Sequence, residues 1–160
     1  MKVKVINVSG KPLDWLVATC ECLPIVLDPM GFSSGAEAGY WVWDTTPRGP
    51  MLRIGSGGPQ GGYSPTTSLS QGGLIMEREK ISPVWSALWK QWVVPDPKNA
   101  ALGILGPTFL VAAMRRFVVS RMGDDVELPS LFSTDAVIKV DNHVRNDSPV
   151  DPASSHWIEP

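Results

Sequence analysis

The chain has 160 residues, of which 43% are hydrophobic and 19% charged, and its net charge is −2. This length is typical of a single domain, and the apolar fraction is sufficient for a packed core. The small negative charge argues against DNA or RNA as a partner, and no apolar run is long enough to cross a membrane. The N-terminus lacks the apolar stretch of a signal peptide, so we expect a cytoplasmic protein without a membrane partner.

The first half of the chain predicts a strand, a helix and a second strand. Met1–Val8 alternates basic and apolar residues, which favours a short strand. A helix follows at about residues 11–23, because Pro12 suits its first turn and Pro24 ends it. Its apolar side comprises Leu13, Leu16, Val17 and Cys20. Tyr40–Trp43 is the second strand candidate, since aromatic and β-branched residues favour sheets.

The middle of the chain is less regular. Residues 55–62 are too rich in glycine for regular structure, and residues 63–73 form a polar stretch rich in hydroxyl groups. We predict a strand at 74–81 with its charged residues exposed. The tryptophans of 84–94 fit one face of a helix, but the segment also fits a strand, and periodicity does not decide between them. Residues 95–106 are predicted to be a loop.

A second long helix at about residues 107–122 is the clearest element of the chain. Pro107 suits its first turn, and Gly123 is placed to end it. Its apolar side comprises Leu110, Ala113, Met114, Phe117 and Val118.

These elements predict an α+β fold, with two main helices packed on a small, mostly antiparallel sheet. From Ser133 onward the sequence becomes polar. We therefore divide the chain into one domain at 1–132 and a polar C-terminal extension at 133–160, to which residues 136–140 could add a strand.

Three blocks of sequence occur in a characteristic order. The first is Ser9-Gly10 with Leu13-Asp14-Trp15-Leu16-Val17-Ala18. The second is Tyr63-Ser64-Pro65-Thr66-Thr67 with Gln71-Gly72-Gly73-Leu74-Ile75-Met76-Glu77-Arg78-Glu79. The third is Gly106-Pro107-Thr108 with Ala112-Ala113-Met114-Arg115 and Gly123-Asp124-Asp125-Val126. Over roughly residues 1–129 the chain resembles the NinX-like proteins of tailed phages, a family of unknown function. It departs from them at Ser68-Leu69, where the family often has Asp-Trp. The resemblance implies a phage protein acting in the cytosol of a bacterial host.

The block 63–73 is the strongest candidate for a ligand site. Its hydroxyl groups, glutamine amide and glycine N–H groups could bind a small molecule, or they could satisfy the backbone of their own turn. The start of the second helix adds free N–H groups that favour an anion. Arg115 could bind phosphate there, or pair with Asp124 or Glu127. The predicted ligand-binding residues are Tyr63, Ser64, Thr66, Thr67, Gln71, Gly72, Gly73, Thr108, Arg115 and Trp43.

Trp43 is included because the chain is unusually rich in tryptophan, with seven tryptophans and only four phenylalanines. Such rings pack cores and interfaces, or form a stacking platform for a planar base.

No catalytic constellation is visible. The two histidines, His143 and His156, lie far from any serine or cysteine motif, and neighbouring cysteines Cys20 and Cys22 would point to different sides of a helix. We therefore expect no enzyme, no metal and no cofactor. Glu77 and Glu79 would share one face of a strand and could act as an acid pair, but the intervening Arg78 and the following Lys80 favour a solvated strand face instead.

The first functional hypothesis is a binding protein. By analogy with other phage proteins, its ligand would be small and nucleotide-like, such as a nucleotide-derived immune signal of the host, captured without catalysis. The alternatives are a protein-interaction inhibitor of a host factor and a nucleotide-processing enzyme. We also expect a homo-oligomer, because a small domain rich in tryptophan leaves apolar surface exposed.

Overall fold

A computed structural model describes residues 1–28, 39–43, 51–55, 62–96 and 99–132. Within them, the helices are α1 (Lys11–Cys20), α2 (Leu69–Glu79) and α3 (Phe109–Met122). The strands are β1 (Lys2–Lys4), β2 (Ile25–Asp28), β3 (Gly39–Trp43), β4 (Met51–Arg53), β5 (Val84–Ser86), β6 (Gln91–Asp96), β7 (Asn99–Gly106) and β8 (Asp125–Glu127). Short 3₁₀ turns occupy Val5–Asn7 and Ser130–Phe132. None of the described helices is long and apolar enough to span a membrane.

The strands form three small antiparallel sheets, ordered β1-β8, β2-β3-β4 and β5-β6-β7. The α+β fold class is therefore confirmed. In the first sheet, Val3 lies opposite Val126, so the beginning of the chain pairs with the strand that follows α3. In the third sheet, Trp92 lies opposite Gly106, at the point where the chain leaves β7 for α3.

The core lies where α3 meets α1 and α2. The fully buried side chains include Leu13, Leu16 and Val17 of α1 and Met114, Phe117 and Val118 of α3. These positions follow the spacing of one helical face, which is why both helices were predictable from the sequence. Apolar burial of this kind is the main stabilising contribution to such a fold.

The ends of α3 follow known capping rules. The hydroxyl of Thr108 accepts a 3.2 Å hydrogen bond from the N–H of Val111, so Thr108 is the N-cap. Gly123 ends the helix with a φ of 87°, a conformation that suits glycine. Pro107 therefore precedes the cap, and the helix begins two residues later than predicted.

The predicted strand at 74–81 is wrong, because these residues belong largely to α2. The alternation of apolar and charged residues there also fits a helix with one narrow buried side, on which Gly72 and Ile75 are buried. The segment 84–94 contains β5 and most of β6. Of the two structures predicted for it, helix and strand, the strand is correct. The predicted loop at 95–106 is wrong, since most of it is β7 paired with β6.

Several predictions fall on residues outside the described part. They include most of the glycine-rich segment 55–62 and all of the extension 133–160. The backbone of Trp43 is described as part of β3, but its side chain is not. The division into a domain and an extension stays a prediction.

Candidate functional site

The block 63–73 begins beside β4 and continues into α2. The N–H of Tyr63 donates to the carbonyl of Arg53, and the N–H of Gly55 donates to the carbonyl of Tyr63, both at 2.9 Å. The Tyr63 side chain is 8% exposed, and its buried hydroxyl has no hydrogen-bond partner among the described residues. Burial raises the pKa of this hydroxyl. Tyr63 therefore points into the core, where its ring packs.

The turn after Tyr63 is closed by its own polar groups. The carbonyl of Ser64 accepts hydrogen bonds from the N–H groups of Thr67 and Ser68, at 3.0 and 2.8 Å. Oε1 of Gln71 accepts from the N–H of Ser64 at 2.7 Å, and its Nε2 donates to the carbonyl of Gly62 at 2.8 Å. Both ends of the Gln71 amide thus hold the turn that precedes α2. For Ser64 and Gln71 the geometry is that of a turn satisfying its own backbone.

Asp14 is a partner of this turn that sequence reasoning missed. The N–H of Thr66 donates to Oδ1 of Asp14 at 3.0 Å, and the two residues are 2% exposed. Burial raises the pKa of Asp14 to about 6, and hydrogen bonding to Thr66 partly opposes the rise. The one sequence signal was a carboxylate inside the apolar stripe of α1, between Leu13 and Trp15.

Gly72 brings the block against α3. A Cβ atom at Gly72 would lie 2.2 Å from the carbonyl oxygen of Pro65 and 2.9 Å from Cδ2 of Leu110. The missing side chain therefore lets α2 approach both the turn and the first turn of α3. Gly73 is half-buried on another side of α2, where it lines a shallow groove of about 420 Å³ with residues that include Leu69, Met76 and Lys80.

Arg115 reaches back toward the start of α3. Its Nε donates to the carbonyl of Val8 at 2.9 Å, and its Nη1 donates to the carbonyl of Leu105 at 2.7 Å. The residue is 9% exposed, and burial lowers the pKa of its guanidinium to about 10. The alternative that Arg115 pairs with Asp124 or Glu127 is wrong, because its described hydrogen bonds go to backbone carbonyls.

Aromatic rings stand at the same end of α3. The ring centroids of Trp92 and Phe109 are 5.8 Å apart, and those of Trp85 and Trp92 are 5.7 Å apart, both edge to face. The sequence predicts a stacking role for Trp43 and does not reveal these neighbouring rings, because periodicity does not decide between helix and strand at 84–94. Trp92 lies opposite Gly106 in the sheet, which places its indole two residues before the N-cap Thr108.

The predicted site residues thus separate into two groups. The loop group is held by Asp14 and by Gln71, and within it Thr67 is exposed. The helix-end group comprises Thr108 and Arg115, and Gly72 links the two groups through its contact with Leu110. Whether these residues bind a ligand stays a prediction. The hydroxyl of Thr108 accepts from the N–H of Val111. Within the helix, the N–H groups of Phe109 and Leu110 therefore remain without an acceptor.

The carboxylates of α2 do not form an acid pair. Glu77 and Glu79 lie two apart on a helix and so point to different sides. Glu79 instead pairs with Arg78 and Arg121, at 3.0 and 3.1 Å, and these arginines hold its pKa below the usual value. In the described part of the chain, no group of three or more His, Cys, Asp or Glu residues could hold a metal ion.

The family resemblance is confirmed by comparison with known proteins. The model of the family described as "Bacteriophage P22, NinX" matches residues 4–121, which is more than half of the chain. A search of curated proteins with the chain found no match. The matched region includes α1, the turn that binds Asp14, α2 and nearly all of α3. The chain therefore belongs to the phage NinX family.

Proposed function

We propose that this protein binds a small anionic, nucleotide-like molecule at the start of α3 and holds it without transforming it. One observation carries the proposal. The buried guanidinium of Arg115 is hydrogen-bonded to backbone carbonyls, and no carboxylate contacts it among the described residues. Carbonyl dipoles offset only part of the cost of burying a charge, so a bound anion would stabilise this arrangement.

The surroundings favour the same ligand. Side chains of a helix lean toward its N-terminus, and the bond from Arg115 to Leu105 places positive charge near the first turn of α3. There the helix dipole and the N–H groups of Phe109 and Leu110 favour a negative group. The rings of Trp92 and Phe109 supply an aromatic face on which a planar base can stack.

Membership in a phage family indicates, by analogy, what such binding would achieve in an infected cell. A phage protein that holds nucleotides in the host cytosol can remove a nucleotide-derived signal of the host's immune response. Capture requires affinity and no catalytic group, which fits a site made of helix N–H groups, an arginine and aromatic rings. On this proposal the protein is a sponge and not an enzyme.

The experiment is incubation with a nucleotide, followed by removal of unbound ligand, heating and analysis of the supernatant. Cyclic di-GMP, a cyclic trinucleotide and cyclic ADP-ribose serve as probes, with AMP as the reference. Intact nucleotide released by heat supports capture. An altered nucleotide overturns the non-catalytic proposal, and no retention of any probe overturns nucleotide binding.

A substitution at the N-cap tests the position of the site. Thr108→Asp keeps a good N-cap, because Asp caps helices as well as Thr does, but it adds a negative charge where the anion would lie. We expect at least about 10-fold weaker nucleotide binding with an unchanged melting temperature. Thr108→Ser is the matched control, since it keeps the cap without the charge. Equal binding by both variants would move the site away from the start of α3.

A second candidate function is inhibition of a host protein by direct contact. The observation that favours it is the exposed apolar side chains of the β5–β6 hairpin, among them Trp85 and Trp89. A protein target would leave the nucleotide probes unretained, so the same experiment separates the two functions.

A further inference from the structure

The hairpin formed by β5 and β6 exposes a cluster of large apolar side chains. Leu88 is 84% exposed, Trp89 57%, Trp85 55% and Val84 50%. These four residues are called the hairpin patch below. Leu88 and Trp89 lie on the turn that connects β5 to β6, and Val84 and Trp85 lie on β5 itself. Because consecutive strand residues point to opposite faces of a sheet, Val84 and Trp85 flank β5 on its two faces.

Two parts of the hairpin patch, the ring of Trp85 and the backbone of Trp89, are held in place by contacts within the hairpin. Trp85 lies edge to face against Trp92, which contacts Phe109 in the same way. The N–H of Trp89 donates to the hydroxyl of Ser86 at 3.3 Å, which closes the turn. An ordered apolar surface loses little side-chain entropy when it binds, and this makes it suited to a specific contact.

One edge of the hairpin is open as well. Among the described strands, β5 has β6 on one side and no strand on the other. An open strand edge offers N–H and C=O groups for pairing, and antiparallel pairing with a copy of the same strand is self-complementary. Such pairing would join two three-stranded sheets into one of six strands. It would place Val84 and Trp85 of the two copies side by side, and Leu88 and Trp89 of each copy beside the start of β5 in the other.

We propose that the hairpin patch is the interface between two copies of this chain, related by two-fold symmetry. The area supports this occupant. Two tryptophans that are about half exposed, with a leucine and a valine, offer on the order of 400–500 Å² of apolar surface. One side of a standard protein interface buries about 800 Å², and its rim is polar. The hairpin patch thus supplies the apolar centre of a small dimer interface that dissociates readily.

The charges near the hairpin patch predict how salt acts on the dimer. Residues 80–95 contain Lys80 and Lys90 and no acidic residue. Two copies would bring like charges together at the rim, and salt screens that repulsion. The dimer should therefore become tighter as salt rises. An acidic occupant, such as a different protein or the acidic extension 133–160, would bind more weakly as salt rises.

Analytical ultracentrifugation of the full chain, over a range from about 1 to 300 µM, tests the proposal. The expected mass rises with concentration from 17.4 kDa to twice that value. In high salt the same rise should occur at a lower protein concentration. Leu88→Glu should weaken association at least about 100-fold, because a two-fold interface contains each substitution twice. Leu74→Glu is the matched control, since Leu74 is 66% exposed and lies on α2 instead of on the hairpin.

Three outcomes would overturn the proposal. A wild-type mass of 17.4 kDa at every concentration would exclude the second copy as the occupant. Dimerisation that persists in Leu88→Glu and is lost in Leu74→Glu would place the interface on α2. A dimer that weakens as salt rises would contradict the contact between like-charged rims. Circular dichroism of both variants checks that they fold, as we expect from their exposed positions.

Discussion

The backbone N–H of Thr66 donates a hydrogen bond to the carboxylate of Asp14, 52 residues earlier in the chain. The bond ties the turn that precedes α2 to the first helix, inside the protein. Neither partner is accessible to a ligand, because the two residues are 2% exposed. The turn is therefore positioned by a buried carboxylate, and its stability depends on the charge of that carboxylate.

Asp14 should make the protein less stable as pH rises. Burial raises the pKa of Asp14 from 3.8 to about 6, so the folded state binds this proton more tightly than the unfolded state does. The stabilisation from this group is complete below about pH 4 and is lost as pH rises through 6. Asp14→Asn stays neutral and keeps an oxygen for the Thr66 N–H. We expect it to be up to about 3 kcal/mol more stable above pH 7.

Urea unfolding at pH 4, 6 and 8 measures this effect. Asp14→Ala is the control, because it removes both the charge and the acceptor of the Thr66 N–H, and should be less stable than Asp14→Asn at every pH. A wild-type protein whose stability rises from pH 4 to pH 8 as much as that of Asp14→Asn would contradict the role given to this proton.

Gln71 should matter for folding as well as for any binding. Its side-chain amide joins the N–H of Ser64 to the carbonyl of Gly62. Gln71→Ala leaves an N–H and a carbonyl without partners, and we expect a loss of about 1–3 kcal/mol in stability. Gln71→Glu keeps an acceptor for Ser64 and removes the donor to Gly62, so an intermediate loss is expected in thermal melts at pH 7. Equal stability of all three proteins would show that water replaces these bonds.

The two neighbouring glycines of α2 should respond oppositely to alanine. At Gly72 a Cβ would meet the carbonyl of Pro65 at 2.2 Å, and backbone must shift to admit it. We expect Gly72→Ala to lose about 2–3 kcal/mol. At Gly73 the nearest atom is Cδ1 of Leu69 at 3.2 Å, the end of an exposed side chain. Gly73→Ala should be neutral or up to about 1 kcal/mol more stable, because alanine favours helix. Guanidinium unfolding curves of the two variants test this difference. A similar loss of stability in both would mean that α2 tolerates no added side chain.

A truncation after Phe132 should remain folded, and Phe132 should be the last residue that the domain needs. Its ring lies 6.1 Å from that of Trp15 and 5.3 Å from that of Tyr40, and it is 8% exposed. Phe132→Ala in the full chain should cost about 3 kcal/mol. Calorimetry of the truncated chain should give a cooperative melt near that of the full chain. Insoluble expression of the truncated chain would assign a structural role to the extension.

The sequence predicted the elements that carry a regular apolar period. α1 and α3 have it, together with Pro12 at the start of one and Gly123 at the end of the other. α2 was missed because Gly72 and Gly73 lower helix propensity in its first half. What favours the helix there is tertiary packing of Gly72 on Pro65 and Leu110, and propensity carries no information about such contacts.

The candidate site was predictable only in outline. The sequence indicated that the block 63–73 and the start of α3 belong together, and the contact of Gly72 with Leu110 agrees with that. It did not indicate that Gln71 is used within its own turn or that Arg115 donates to Val8. Those bonds depend on which backbone groups the fold leaves without partners, and the spacing of side chains does not encode that.

The pairing of β1 with β8 has a consequence for synthesis of the protein. β1 is synthesised before its partner β8, which ends at Glu127, and α1 is likewise synthesised before α3. At about 5–20 residues per second, the ribosome delivers that partner on the order of 10 s later. For this interval the apolar side of α1 has no core to enter. Such long-range pairing slows folding after release as well, so we expect chaperones of the host to assist the nascent chain.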